Sequence, residues 1–173
     1  MMKLGEIFGY SAKHGLNYTE KLLVGISREK FARFACPGDQ PIRSNHPSFI
    51  IGHLSLYGPR ILSDLGLPSE LINIPDSFVK AYSKDAQCVD DPNCDIYPSM
   101  EEVVETYFES YRVAIDQIKS VPNEAYEKPN RNAGAIARFP TVADMHGFYM
   151  SGHMMLHLGQ LSAWRRAAGL APA

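Results

Sequence analysis

Two histidines, His153 and His157, stand four residues apart near the end of the chain, in the stretch H-M-M-L-H-L-G-Q-L-S-A-W-R-R-A-A-G. An α-helix turns about 100° per residue, so this spacing puts two side chains within roughly 40° of each other and about 6 Å apart along the axis. Two ligands of one ion have that geometry. A helical pair of this kind is more often a pair of hydrogen-bonded core or surface residues, so its meaning depends on a third group. His53, between Ile50 and Tyr57 on an apolar helical face, is the candidate. Three neutral imidazoles from two helices would hold a divalent ion and leave a position open for water or substrate, as catalytic zinc sites do. Nickel, iron and manganese accept imidazole as well, and the residues alone do not choose among them.

The neighbours narrow the chemistry. Met154 and Met155 stand between the histidines, with Leu156, so H-E-x-x-H and its glutamate base are absent. No Ser or Cys carries a Ser-His-Asp or Cys-His signature. Gln160, three residues past His157, is a candidate to orient that ligand, with a plain helix–helix hydrogen bond as the alternative. Tyr149 shares the face of the pair and is a candidate pocket residue. His146 lies eleven residues before His157, roughly 16 Å of helix rise. It is too distant for the same ion and reads as pocket wall or packing. His46 reads as lying off the helix and His14 as surface. The Met145, Met150, Met154 and Met155 run reads as core or dimer face, and Arg165-Arg166 as a complement to a helix C-terminus.

Four long helical patterns must position these residues. Apolar spacing predicts helix over 3–26, with Gly15 and Asn17 weakening its middle. A second helix is expected over 47–65, bent at Gly58-Pro59 and stopped by Gly66 and Pro68. The third runs to about 120 from a capping box, Ser99 with Glu102. The fourth runs from Thr141 to Gly169. Residues 67–98, rich in proline, read as loop and short turns, and a loop this long is usually functional or an insertion. The pattern predicts an all-α four-helix bundle with two long connections in a single domain over 1–173.

The halves repeat weakly. Pro47-Ser48 and Pro140-Thr141 each open a helix, and a histidine follows each proline by six residues, His53 and His146. Two such hairpins about a pseudo-two-fold axis would run the second and fourth helices antiparallel. His53 would then face His153 and His157, and not its own counterpart His146.

Composition sets the outer limits. Apolar residues make up 45% and charged residues 21%, and the net charge is −2, so no basic footprint for nucleic acid shows. No apolar run is long enough for a membrane span, and the N-terminal residues lack a signal-peptide core. Three cysteines, Cys36, Cys88 and Cys94, without a C-x-x-C pair fit a reducing cytoplasm. Cys88 and Cys94 could bridge a loop if oxidised, with free thiols the simpler state.

P-S-F-I-I-G-H-L early in the chain, with H-M-M-L-H-L-G-Q-L-S-A-W-R-R-A-A-G-L at its end, resembles the DinB/YfiT-like superfamily of metal-dependent enzymes. The likeness covers the chain in order, apart from 67–98. It implies an up-down-down-up four-helix bundle with His53, His153 and His157 as ligands of one divalent transition ion, zinc or nickel ahead of iron or manganese. Members often carry a further histidine where this chain has Tyr149. The resemblance also implies a homodimer and a small-molecule substrate, with transfer of a low-molecular-weight thiol or hydrolysis as the chemistry. The competing expectation is a non-catalytic, metal-stabilised helical module that acts by dimerisation.

Overall fold

The computed structural model describes residues 3–173, and among them it contains helices, turns and loops but no β-strand. Two isolated bridges, Ala35 with Ile42 and Pro129 with Thr141, tie loop segments together. Among the described residues no helix is long and apolar enough to cross a membrane.

The first helix, α1 (Leu4–Leu23), is continuous. Gly15 and Asn17, which weaken its middle in the sequence, do not interrupt it, and Gly15 serves packing: a Cβ there would collide with the Met154 sulfur on the last helix. A single turn, α2 (Arg28–Phe31), follows.

The second helical stretch is two pieces, α3 (Pro47–Ser55) and α4 (Tyr57–Asp64), joined at Leu56. The bend expected at Gly58-Pro59 therefore falls earlier. The proline ring displaces the carbonyl four residues before it, that of Ser55, and offers it no N–H. The Ser110 hydroxyl supplies the missing donor, 2.8 Å from Ser55 O. Gly58 makes the approach possible, since a Cβ there would stand 2.7 Å from the Ser110 carbonyl oxygen.

Residues 67–98 are more ordered than their prolines suggested. A 3₁₀ turn (Ser69–Leu71) precedes α5 (Asp76–Tyr82), whose Phe78 and Tyr82 are fully buried. The rest of the segment is pinned by carboxylates. Asp91 accepts from the backbone N–H groups of Asp95, Ile96 and Tyr97, and Asp90 accepts from Arg33 and from Phe34 N. All three cysteines are free thiols.

Ser99 caps α6 (Met100–Ile118), its hydroxyl accepting from Glu102 N at 3.2 Å. After the turn α7 (Asn123–Tyr126), Thr141 and Asp144 form a reciprocal capping box at the start of α8 (Val142–Gly147). The fourth predicted helix is not uniform: a π-helical turn (Phe148–Gly152) separates α8 from α9 (His153–Ala167).

Contacts along the helices give their directions. Thr19 meets Tyr107 and Gly5 meets Ile118, so α1 and α6 run antiparallel. Phe8 meets His146 and Arg165 donates to the Leu22 carbonyl, so α1 runs parallel to α8 and α9. Asn45 meets Gln160, Tyr57 meets Tyr149 and Asp64 meets His146, so the α3–α4 pair runs antiparallel to α8–α9. Arg165 is buried and complements a helix C-terminus, that of α1. Met145, Met150 and Met154 are core, while Met155 is exposed.

Candidate metal centre

The π turn decides which histidines meet. In an uninterrupted helix His146 and His153, seven apart, would differ in direction by only about 20°. A π turn adds a residue to one turn and rotates everything after it. His146 consequently faces Asp64, with its Nε2 3.3 Å from Oδ2, and packs among Phe8 and Tyr126. His153 faces α3 instead. His146 is thus a buried residue that packs between α1 and α7 and contacts Asp64, away from the His53 cluster.

His53, His153 and His157 each offer one ring nitrogen within 4.8 Å of the other two. Ring centroids are 5.4 Å apart for His53 and His153, 5.0 Å for His53 and His157, and 4.6 Å for His153 and His157. His53 and His153 are buried, and His157 is the least buried of the three.

The neighbours fix two of the three tautomers. His53 Nδ1 lies 2.8 Å from the Tyr82 carbonyl oxygen, which can only accept, so Nδ1 carries the proton and Nε2 the lone pair. His157 Nδ1 donates to Gln160 Oε1 at 3.0 Å, and Asn45 Nδ2 donates to the same oxygen at 3.3 Å. His157 Nε2 is then a second lone pair, 3.1 Å from His153 Nε2. Two ligands on a tetrahedral zinc are separated by roughly 3.3 Å, so this pair already stands at ligand spacing. His153 Nδ1 is buried without a hydrogen-bond partner. The donor set suits a divalent ion, with two of three imidazoles held by outer hydrogen bonds as ligating histidines usually are.

Electrostatics favour the neutral, ligating form. Burial pushes His153 down to about 3, helped by the neighbouring His157, His53 and Arg60 charges. Burial and the charge of His53 bring His157 to about 4, against the Gln160 bond. Burial lowers His53 as well, and the Tyr82 carbonyl partly restores it. No proton therefore competes for these nitrogens near neutral pH.

Three further groups complete the site. The Tyr57 hydroxyl is 3.2 Å from His53 Nε2, and its ring lies 4.5 Å from that of His153. The Arg60 guanidinium stacks over Tyr57, 5.0 Å from the ring centroid. Tyr149 packs 4.8 Å from Tyr57 and 6.4 Å from His153.

Sequence reasoning missed two of the supports. Tyr57 follows His53 by four residues, a usable signal that apolar patterning absorbed. The Tyr82 carbonyl, 29 residues away on a helix inside a presumed loop, left none. Its position depends on Gly52, over which the Tyr82 ring lies so closely that a Cβ would be 2.6 Å from Cγ and nearer still to two ring atoms. His46 lies off the helix as expected, but in a role that the sequence reading did not assign. It is the N-cap of α3, fully buried, accepting from Phe49 N through Nδ1 and donating from Nε2 to the Val89 carbonyl at 3.0 Å.

Comparison with protein-family models and with curated proteins finds no match for this chain.

Proposed function

We propose that this chain is a metal-dependent enzyme on an up-down-down-up four-helix bundle, with His53, His153 and His157 holding one divalent transition ion, zinc or nickel first. The observation that carries the reading is the convergence of three neutral ring nitrogens from α3 and α9, two of them with the opposite nitrogen held by Tyr82 and Gln160. The helix directions inferred from Thr19–Tyr107, Arg165–Leu22 and Asn45–Gln160 support the bundle.

When bound, the ion would supply Lewis acidity that lowers the pKa of a coordinated water or thiol. Three neutral ligands leave its charge uncompensated, which favours an anionic nucleophile. Thiol transfer and hydrolysis both fit, and the sequence resemblance favours the former. The protein's own groups orient and protonate. Gln160 and Asn45 fix the His157 ring, and the Tyr82 carbonyl fixes His53. Tyr57, kept protonated because burial raises its pKa against the Arg60 charge, holds a donor proton at the hydroxyl beside His53.

Metal analysis of the purified protein tests the reading. About one transition ion per chain is expected, with His157→Ala and His53→Ala each losing it together with part of the thermal stability. A metal-free protein whose melting is unmoved by zinc and by either substitution sinks it.

A second reading, a metal-stabilised module that acts by pairing with a copy of itself, draws on the outer face of α9. Met155 and Leu156 are exposed there, beside exposed Gly152 and Gly159. Sedimentation of the parent and of Leu156→Glu distinguishes the two: a dimer lost together with the bound metal favours the module.

A further inference from the structure

A cleft of about 700 Å³ is lined by two residues that flank the histidine cluster, Asn45 and Phe49, and by none of the three histidines themselves. Its size is that of a small-molecule site. Its walls come from three places: Phe34, the segment 41–45 and Phe49, and the segment 86–90. Two of these residues also touch the cluster's supports. Phe49 lies parallel to the His53 ring, centroids 6.4 Å apart, and Asn45 bonds the Gln160 oxygen that holds His157. A ligand lying in the cleft therefore touches the residues that flank His53 and hold the His157 ring in place, Phe49 and Asn45.

The lining specifies the rest of the ligand. Phe34, Phe49, Pro41, Ala86 and Val89 are apolar and favour an apolar, flat body. Two charged side chains line the cleft, Arg43 and Asp90. Asp90 is already satisfied by the Arg33 guanidinium at 3.0 Å and by Phe34 N at 2.7 Å. Arg43 forms no ion pair among the described residues. It follows Ile42, whose N–H bonds the Ala35 carbonyl at 2.7 Å, so its backbone is anchored while its head is free. The cleft thus presents one uncompensated guanidinium, whose planar fork matches a carboxylate. A single positive charge matches a monoanion better than a phosphate dianion.

We propose that this cleft binds the substrate, a small molecule with an apolar, planar body and one carboxylate that pairs with Arg43. The proposal rests on the metal-centre reading only in calling the ligand a substrate; the binding itself does not need the ion.

3-Phenylpropanoate, its neutral amide 3-phenylpropanamide, and phenethyl phosphate serve as probes, followed by backbone amide shifts in two-dimensional NMR of chelator-treated, metal-free protein. The carboxylate should move Ser44, Gln87 and Val89 and bind tighter than either analogue. Arg43→Gln should weaken the carboxylate about tenfold or more while leaving the amide unchanged. Ala86→Trp, which fills the cleft, should abolish both, with the unperturbed amides of α6 reporting an intact fold. Equal carboxylate affinity in Arg43→Gln overturns the proposal. So does carboxylate binding that appears only in zinc-loaded protein, which would mark direct ligation of the ion. Tighter binding of the phosphate overturns the carboxylate assignment. Because the titration uses metal-free protein, loss of the metal-centre reading leaves its outcome independent.

Discussion

Gly52→Ala tests whether the proposed metal centre is built through α5. The added methyl would stand 2.6 Å from Tyr82 Cγ and closer to two other ring atoms, against ordinary contacts of about 3.5–4.0 Å. Tyr82 is fully buried, so its ring has no solvent side to move into, and α5 must shift by about an ångström. Overpacking of that size costs about 1–3 kcal/mol. In a protein of this length each kcal/mol lowers the melting temperature by about 2–4 °C. The same shift pulls the Tyr82 carbonyl from His53 Nδ1, a 2.8 Å bond. Loss of an outer partner of this kind lowers metal affinity about 10- to 100-fold. Chelator-treated protein gives the stability change by thermal melting, and competition with a chromophoric zinc chelator gives the affinity. Tyr82→Phe is the control, because it deletes the 2.8 Å bond to Ser48 and keeps the backbone carbonyl. It should cost about 1 kcal/mol and leave zinc affinity unchanged. A Gly52→Ala protein that is destabilised yet binds zinc as tightly as the parent would falsify the coupling of α5 to the site.

Two other perturbations have signed outcomes. Burial pushes His46 down to about 4 from an ordinary value near 6.5, so below that value the unfolded chain binds the proton that the folded chain refuses. The resulting penalty is absent above about pH 6.5, grows as pH falls toward 4, and reaches about 3 kcal/mol for this residue. His153 and His157 act in the same direction. Urea unfolding of metal-free protein should show stability falling across that window, with a shallower slope in His46→Asn; stability that rises on acidification contradicts the burial argument. Ser110→Ala leaves the Ser55 carbonyl without a donor and should cost about 1–3 kcal/mol, while in a Pro59→Ala background residue 59 regains its N–H and the cost should shrink. Additive losses in that cycle would show that the hydroxyl does not replace the missing helical bond.

The histidine pair was legible in the sequence because helical spacing alone puts His153 and His157 on one face. The helix caps at Ser99 and Thr141 were legible for a similar reason, since their bonds close within three residues. Apolar periodicity located the helical stretches, and the weak half-repeat paired His53 with the last helix. Local pattern does not reach further. The π turn at Phe148–Gly152 separates His146 from His153 without any Pro or unusual residue run to announce it. The helix joint moved from Gly58-Pro59 to Leu56 because a proline acts on the carbonyl four residues earlier, and its repair needed Ser110 from another helix. His46 looked like loop until α3 used it as a cap and the Val89 carbonyl covered it. The Tyr82 carbonyl and the Asn45–Gln160 bond join residues 29 and 115 positions apart, and the backbone oxygen carries no side-chain identity to read. Residue spacing along a helix determined which nitrogens could share an ion. Packing between helices decided which of them meet and which tautomer two of them adopt.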